Sequence, residues 1–575
     1  MTETNVQRWS QAFLPTLREA PAEAEAASHQ LMLRAGLVRK LMAGAYSYLP
    51  LGLRVLAKAT RIVREEMNRG GGQELLMPGL QPADLWKQTG RYDLMREILY
   101  TFEDRHGKEV VLGPTHEEII TSIVKNHVQS YRQLPLLLYQ IQTKFRDEAR
   151  PRYGVVRSCE FVMKDAYSFD KDFEGLDKVY DRMLEAYKRI FSRCGLRVVI
   201  CEADSGAMGG KASQEFMVPS PWGEDVVVEC DAWGEGRAMS LEIAPSPVPP
   251  AAEASGAVPS PEKVPTPGKH TVEEVSQLLK VPAGRILKTL LLDTDKGIVA
   301  AVVRGDHELN PIKLARLLGC RSVELAAPAV VEKISGAPLG FAGPVGLNGV
   351  TLVVDHAAMG VHDGVSGANE TDTHLLHVQP GRDFEAQVLG DIRFVTEQDL
   401  DGTGNPFRLT TTVEIGHVFK LGTHYSDLLQ VKYLDEAGAE QVVVMGCYGI
   451  GVNRIVSSAI EQNHDKDGII WPESLAPYDV LVVPLEAAGE AAMALGEQIS
   501  AELGAEGLEV LLDDRPLQTG AKLKDADLIG IPWRVVIGKK GIERGEVELS
   551  NRRTKESEWV KPQGVAGLLK KRRPA

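Results

Sequence analysis

Arg146, Glu148, Arg157 and Phe161 fall along two candidate strands within residues 144–169, KFRDEARPRYGVVRSCEFVMKDAYSF, which a basic turn joins. An arginine in such a place can grip a phosphate through two parallel charge-assisted hydrogen bonds, and a phenylalanine offers a flat face to a purine. The pattern points to nucleotide activation. Between the strands, Arg150, Pro151, Arg152 and Tyr153 put positive charge and an aromatic ring on a loop that can reach a nucleic acid end. A polar hairpin whose arginines pair with Asp147, Glu148 and Glu160 has the same composition, so the reading depends on what else the chain carries.

A second group lies far downstream, in EQVVVMGCYGIGVNRIVSSAIEQ at residues 440–462. A β-rich stretch passes through Gly446, Gly449 and Gly451 into an amphipathic helix pattern that holds Arg454. Side chains at those glycines are expected to crowd a bound nucleotide. In GPTHEEIITSIV, residues 113–124, Thr115 and Glu117 open a helix pattern, where they read either as a cap or as a polar pair for a cation. VEIGHVF adds Glu414 and His417 on a strand pattern.

These segments together resemble the class II aminoacyl-tRNA synthetases, and RSCEFVMKDAYSF resembles the bacterial prolyl-tRNA synthetases in particular. The resemblance implies that Arg146 holds the α-phosphate, with Glu148 beside it, and that adenine lies between Phe161 and Arg454. Arg157, Glu414, Gly449 and Gly451 complete the ATP site, and Arg150 and Arg152 reach the tRNA acceptor stem. Thr115 and Glu117 would bind the secondary ammonium of proline, with Arg146, Met163, Tyr167, His417 and Cys447 around it. Cys447 is expected to be a small apolar wall and not a nucleophile. Mg2+ is expected with ATP, Glu414 being its candidate ligand. Residues 52–80, with a helical stripe of Val55, Ala59, Ile62, Val63 and Met67 followed by Pro78, match the motif that builds a homodimer interface in that family.

The elements that must position these residues form an α/β (α+β) multidomain chain. A length of 575 residues allows about four domains at roughly 150 residues each. We read an antiparallel-sheet class II core in residues 1–243 and 405–475, an insertion at 270–404, and a C-terminal α/β anticodon-binding domain at 476–575. A stretch holding eight prolines, within 244–269, reads as a linker. The insertion has a physical motive: a pocket sized for proline rejects alanine by only ~1–3 kcal/mol, so a hydrolytic editing site for mischarged alanyl-tRNA is useful. The resemblance places that site at Lys288, Gly340, Pro344 and His374.

Six scattered cysteines with no CxxC pair fit a reducing cytoplasm, with no structural zinc expected. No run approaches the ~20 apolar residues of a membrane span. The formal net charge of −14 does not exclude RNA, because binding needs only local basic surface. Residues 551–575 carry eight Lys or Arg against two Glu. Expected partners are tRNA(Pro), L-proline, ATP and a second copy of the chain. Cys159 and His424 depart from the wording usual in that family. A ligase for another amino acid, or a non-catalytic tRNA-binding relative, are the competing readings; retention of Arg146 and Arg454 argues against the latter.

Overall fold

The computed structural model describes residues 5–204, 206–210, 212–234, 237–248, 256–485 and 489–572. Prolines 249 and 250 of the proline-rich stretch and the last three residues of the basic tail lie outside them. The chain divides into two compact units, residues 1–200, 205–224 and 411–575 in one, 201–204 and 225–410 in the other.

In the first unit, strands run in the order Ala212–Pro219, Arg408–Gly422, Val444–Gly451, Glu160–Asp170, Leu136–Phe145 and Gln73–Glu74, antiparallel except for the last pair. Three helices cover one face: Pro50–Arg69, Phe173–Arg193 and Val452–Gln462. The expected stripe of Val55, Ala59, Ile62, Val63 and Met67 is buried in that layer against Tyr187, Phe191, Ile455 and Ala459. Full burial of each large apolar side chain contributes about 1.5–3 kcal/mol. Pro50 starts the first helix, where its missing N–H costs nothing. Glu66 of that helix is buried and accepts from Arg189 at 2.7 Å and Arg193 at 2.8 Å, tying it to the second.

The same unit holds a second sheet, in the order Val6–Arg8, Val510–Leu512, Val480–Pro484, Trp533–Ile537, Val547–Asn551 and Ser557–Val560. Its first four strands are parallel, with helices Gly489–Ala505 and Thr519–Ile529 in the connections, as the alternation in the sequence predicts. The edge strand comes from the other end of the chain, since Val6 pairs with Val510. Three residues are too few to announce a strand by periodicity.

The second unit is a mixed sheet built on the hairpin Ile286–Thr294 and Gly297–Arg304. Helix Val272–Leu279 begins with a capping box of Thr271 and Glu274. Glu262–Pro265, inside the stretch that reads as a linker, is an edge strand of this sheet, pairing Glu262 with Leu376. The unit is wider than 270–404 at both ends. Proline is tolerated at an edge strand, and composition cannot reveal a partner more than 100 residues away.

Candidate active site

Register across the first sheet decides which side chains meet. Glu215 pairs with His417, His417 with Gly449, Gly449 with Asp165, and Asp165 with Gln140, so one row crosses five strands. Successive residues of a strand alternate faces. Phe161, Met163 and Asp165 therefore share a face with Cys447, Gly449 and Gly451, and all of them line one cavity. Val162, Ala166, Tyr448 and Ile450 point the other way, into the helical layer.

Thr115, Glu117, Arg146, Glu148, Arg157, Glu414, His417 and Arg454 line the same cavity. The guanidinium carbon of Arg146 lies 5.2 Å from the Phe161 ring centroid. Its Nε is buried with no hydrogen-bond partner, and burial together with Arg454 pulls its pKa down. A buried cation with unspent donors is a demand for an anion. Arg157 donates to Glu148 at 2.7 Å and also pairs with Glu224.

Arg454 is anchored by three acceptors: Val156 O at 2.9 Å, Glu414 O at 2.6 Å and Glu414 Oε2 at 3.0 Å. Burial raises the Glu414 carboxyl, but His417 and Arg454 outweigh it and hold the group down at about 2. His417 Nδ1 lies 3.3 Å from Glu414 Oε1 and 3.4 Å from Glu215 Oε1. The ligand atoms of Glu215, Glu414 and His417 cluster within 4.8 Å. Two carboxylates suit a hard divalent cation that takes its remaining ligands from phosphate and water, so the donor set fits magnesium.

At the other end of the cavity, Glu117 begins helix Glu117–His127. Thr115 does not cap it; Oγ1 donates to Glu117 Oε2 at 2.6 Å, while Cys447 Sγ donates to Oε1 at 3.1 Å. Burial opposes ionisation of Glu117, yet Arg91, Thr115 and Cys447 hold its carboxyl below the usual range. Burial pushes the neighbouring Glu118 up in spite of Arg91. The Cys447 thiol is driven well up by burial and by Glu117, so it stays protonated and donates.

Asp165 closes the wall. It pairs with Lys144 at 2.8 Å and accepts from Gln140 and Tyr167 at 2.9 Å each. Burial and Lys144 bring His116 to about 4. The neutral ring accepts from Lys144 at Nδ1, 2.7 Å, and donates from Nε2 to Pro78 O at 2.9 Å. Pro78, noted in the sequence for another reason, thus supports the site.

Known proteins decide the family. Residues 100–463 match the tRNA synthetase class II core domain (G, H, P, S and T), and residues 479–572 match an anticodon binding domain. The chain is 51% identical to the proline–tRNA ligase of Thermoanaerobacter sp. (strain X514) over 574 residues, 98% of this chain and 99% of the other. Identity is 52% to that of Nitratidesulfovibrio vulgaris (strain Hildenborough), covering 97% of each chain, and 50% to that of Geobacter sulfurreducens, covering 98% of each. The chain belongs to the proline–tRNA ligase family. A solved structure titled Giardia lamblia prolyl-tRNA synthetase in complex with prolyl-adenylate shares the fold, with a TM-score of 0.57 at 15% identity, over 94% of this chain and 75% of that one.

Within this class II synthetase, other expected residues lie off the cavity. Tyr167 sits beneath the wall, where its hydroxyl donates to Asp165 and accepts from the His116 N–H at 3.1 Å. Gly446 faces the helical layer: a Cβ there would stand 2.3 Å from Tyr448 Oη. Arg150 and Arg152 are exposed on the turn. In the second unit the strands that carry Lys288 and His374 meet the 340–344 turn near Gly367. Gly367 pairs with His374, and Ser366 beside it pairs with Leu287 beside Lys288. The 340–344 turn lies on the same point, because a Cβ at Gly343 would stand 1.8 Å from Gly367 O. Asn369 clamps the turn by accepting from Gly343 N at 2.9 Å and donating to Gly343 O at 3.1 Å. His374 Nδ1 lies 2.7 Å from Thr266 Oγ1, and burial brings the imidazole to about 4.

Several residues of the ligase cavity escape a reading by motif. Asp165 carries a signal, being two and four residues beyond Met163 and Phe161 on one strand face. Met208, Val155 and Asn453 carry none, since loop conformation and helix docking place them.

Proposed function

We propose that this cavity activates L-proline with ATP and transfers it to tRNA(Pro), and that the second unit hydrolyses mischarged alanyl-tRNA(Pro). The observation that carries the first part is the charge pair that lines the cavity: the Glu117 carboxylate, and the Arg146 guanidinium, which faces Phe161 and whose buried Nε has no hydrogen-bond partner. A zwitterionic amino acid lies between them with its ammonium on Glu117 and its carboxylate toward Arg146.

Arg146 holds the α-phosphate and the adenine base lies on Phe161, with Arg454 on its other side. Glu414, with Glu215 near it, would hold magnesium, which offsets charge on the phosphates when bound with the nucleotide. A proline carboxylate oxygen attacks the α-phosphorus; that O–P bond forms as the bond to the β-phosphate oxygen breaks, and pyrophosphate leaves. Prolyl-adenylate results. The terminal ribose hydroxyl of the tRNA then attacks the activated carbonyl, an ester forms, and AMP departs. No side-chain nucleophile is needed, so position and preorganised charge supply the catalysis. Arg150 and Arg152 offer exposed charge for the acceptor stem.

Editing is supported by the approach of the 340–344 turn and His374 to Gly367, on the strand that pairs with the one carrying Lys288. A homodimer is supported by the exposed large apolar side chains Leu76, Leu80, Leu94 and Phe102. Among the described residues no helix is long and apolar enough to cross a membrane. A cytoplasmic location is part of the proposal, and the tRNA substrate supports it.

The test is ATP–pyrophosphate exchange with proline, alanine, threonine and glycine. Strong exchange with proline and weaker exchange with alanine is expected. Folded protein with magnesium that exchanges with none of them overturns the reading.

A further inference from the structure

Glu117, the residue read as the partner of the substrate ammonium, is not alone. Arg91 stands behind it, 1% exposed, its guanidinium 5.0 Å from the Trp86 ring centroid and 5.5 Å from that of Tyr425. Its Nη1 donates to Glu117 Oε2 and to both oxygens of Glu118, each at 3.1 Å, and Nη2 contacts Met208 Sδ at 3.2 Å. Neither Arg91 nor Glu118 lines the cavity.

We propose that Arg91 and Glu118 are positioning residues for the ammonium of the amino acid: Arg91 aims the Glu117 carboxylate into the cavity, and Glu118, by sharing that guanidinium, leaves the cluster one net negative charge for an incoming cation. The inference rests on the assignment of this cavity to proline.

The bonding supports both halves. Thr115 and Arg91 fix one oxygen of Glu117 and Cys447 the other, so the carboxylate cannot rotate away from the cavity without losing donors. Glu118 accepts from Arg91 through both oxygens and from Thr89 Oγ1 at 2.9 Å, so both oxygens serve as acceptors and these donors favour the carboxylate against the upward push of burial and Glu117. One guanidinium then serves two carboxylates. If Glu118 were neutral, Arg91 would neutralise Glu117 alone, and the ammonium would meet a paired ion whose attraction is largely spent. A buried excess negative charge is costly until a cation arrives, and that is the condition for strong discrimination in favour of a cationic group. The contact with Met208, which lines the cavity, ties the same guanidinium to the 206–210 loop.

The test compares Glu118→Gln and Arg91→Lys with the unsubstituted enzyme in ATP–pyrophosphate exchange. KM for proline should rise at least about tenfold in each, with KM for ATP and kcat within about threefold. Inhibition by tetrahydrofuran-2-carboxylate, which keeps the ring and carboxylate but has no ammonium, should not weaken in Glu118→Gln. A general loss of packing would instead weaken both ligands together, and that result, or an unchanged KM for proline, overturns the inference. Should Glu118→Gln not fold, as judged by circular dichroism, Arg91→Lys decides by the same split between proline and ATP. Absence of proline exchange in the unsubstituted enzyme is a different result, and it removes the assignment of the cavity itself.

Discussion

Gly449 and Asp165 face each other across adjacent strands, and no atom lies within 4 Å of the place a Gly449 Cβ would occupy. Open space at Gly449 and filled space at Gly446 separate two glycines that look alike in the sequence. Gly449→Val should fold normally and raise KM for ATP at least about tenfold. Gly446→Ala should instead lower stability by about 1–3 kcal/mol, because the added carbon meets Tyr448 and Leu176 in a filled layer. Thermal unfolding and exchange kinetics on the two variants check both halves.

Arg146 faces Phe161 with its Nε unpartnered, so its charge is available to a phosphate without first breaking an ion pair. Arg146→Ala is expected to reduce adenylate formation by about a hundredfold or more. Rapid-quench measurement of prolyl-adenylate is the check, and normal synthesis by the variant would sink the assignment.

His374 sits in the second unit, beside Thr266. His374→Ala should leave pyrophosphate exchange with proline unchanged and raise accumulation of alanyl-tRNA several-fold. The measurement is charging of tRNA with labelled alanine; equal accumulation by variant and parent would remove His374 from editing.

Asp170 ends the strand Glu160–Asp170, and burial lifts its carboxyl to about 6. The unfolded group titrates near about 3.9, so between those values the folded state holds a proton that the unfolded state has lost. Stability from this group is therefore full below about pH 4 and falls as pH rises through about 6. Asp170→Asn should match the parent at pH 4 and exceed it at pH 7 by on the order of 2–3 kcal/mol. Urea unfolding at the two pH values checks the sign.

Much of the cavity lining was legible in the chain. Arg146 and Phe161, or Gly449, Gly451 and Arg454, are close neighbours along one hairpin or one strand-to-helix joint, and local geometry carries spacing into space. Local pattern also revealed the helical stripe and the C-terminal α/β alternation. It misassigned Gly446, because strand alternation sends it to the helical face while Gly449 and Gly451 line the cavity.

What the sequence by itself determined was the set of chemical groups and the elements that carry them, because phosphate grip, base stacking and helix or strand period are properties of residues a few positions apart. Tertiary structure decided which groups from distant segments share a cavity. The row from Glu215 through His417 and Gly449 to Asp165 is set by register among strands, two of whose pairings join residues more than 200 positions apart. Arg91 meets Glu117 and Glu118 by helix docking, and Val6 meets Val510 at a sheet edge. Such pairings are fixed by hydrogen-bond ladders and packing of the whole core, and no spacing along the chain encodes them.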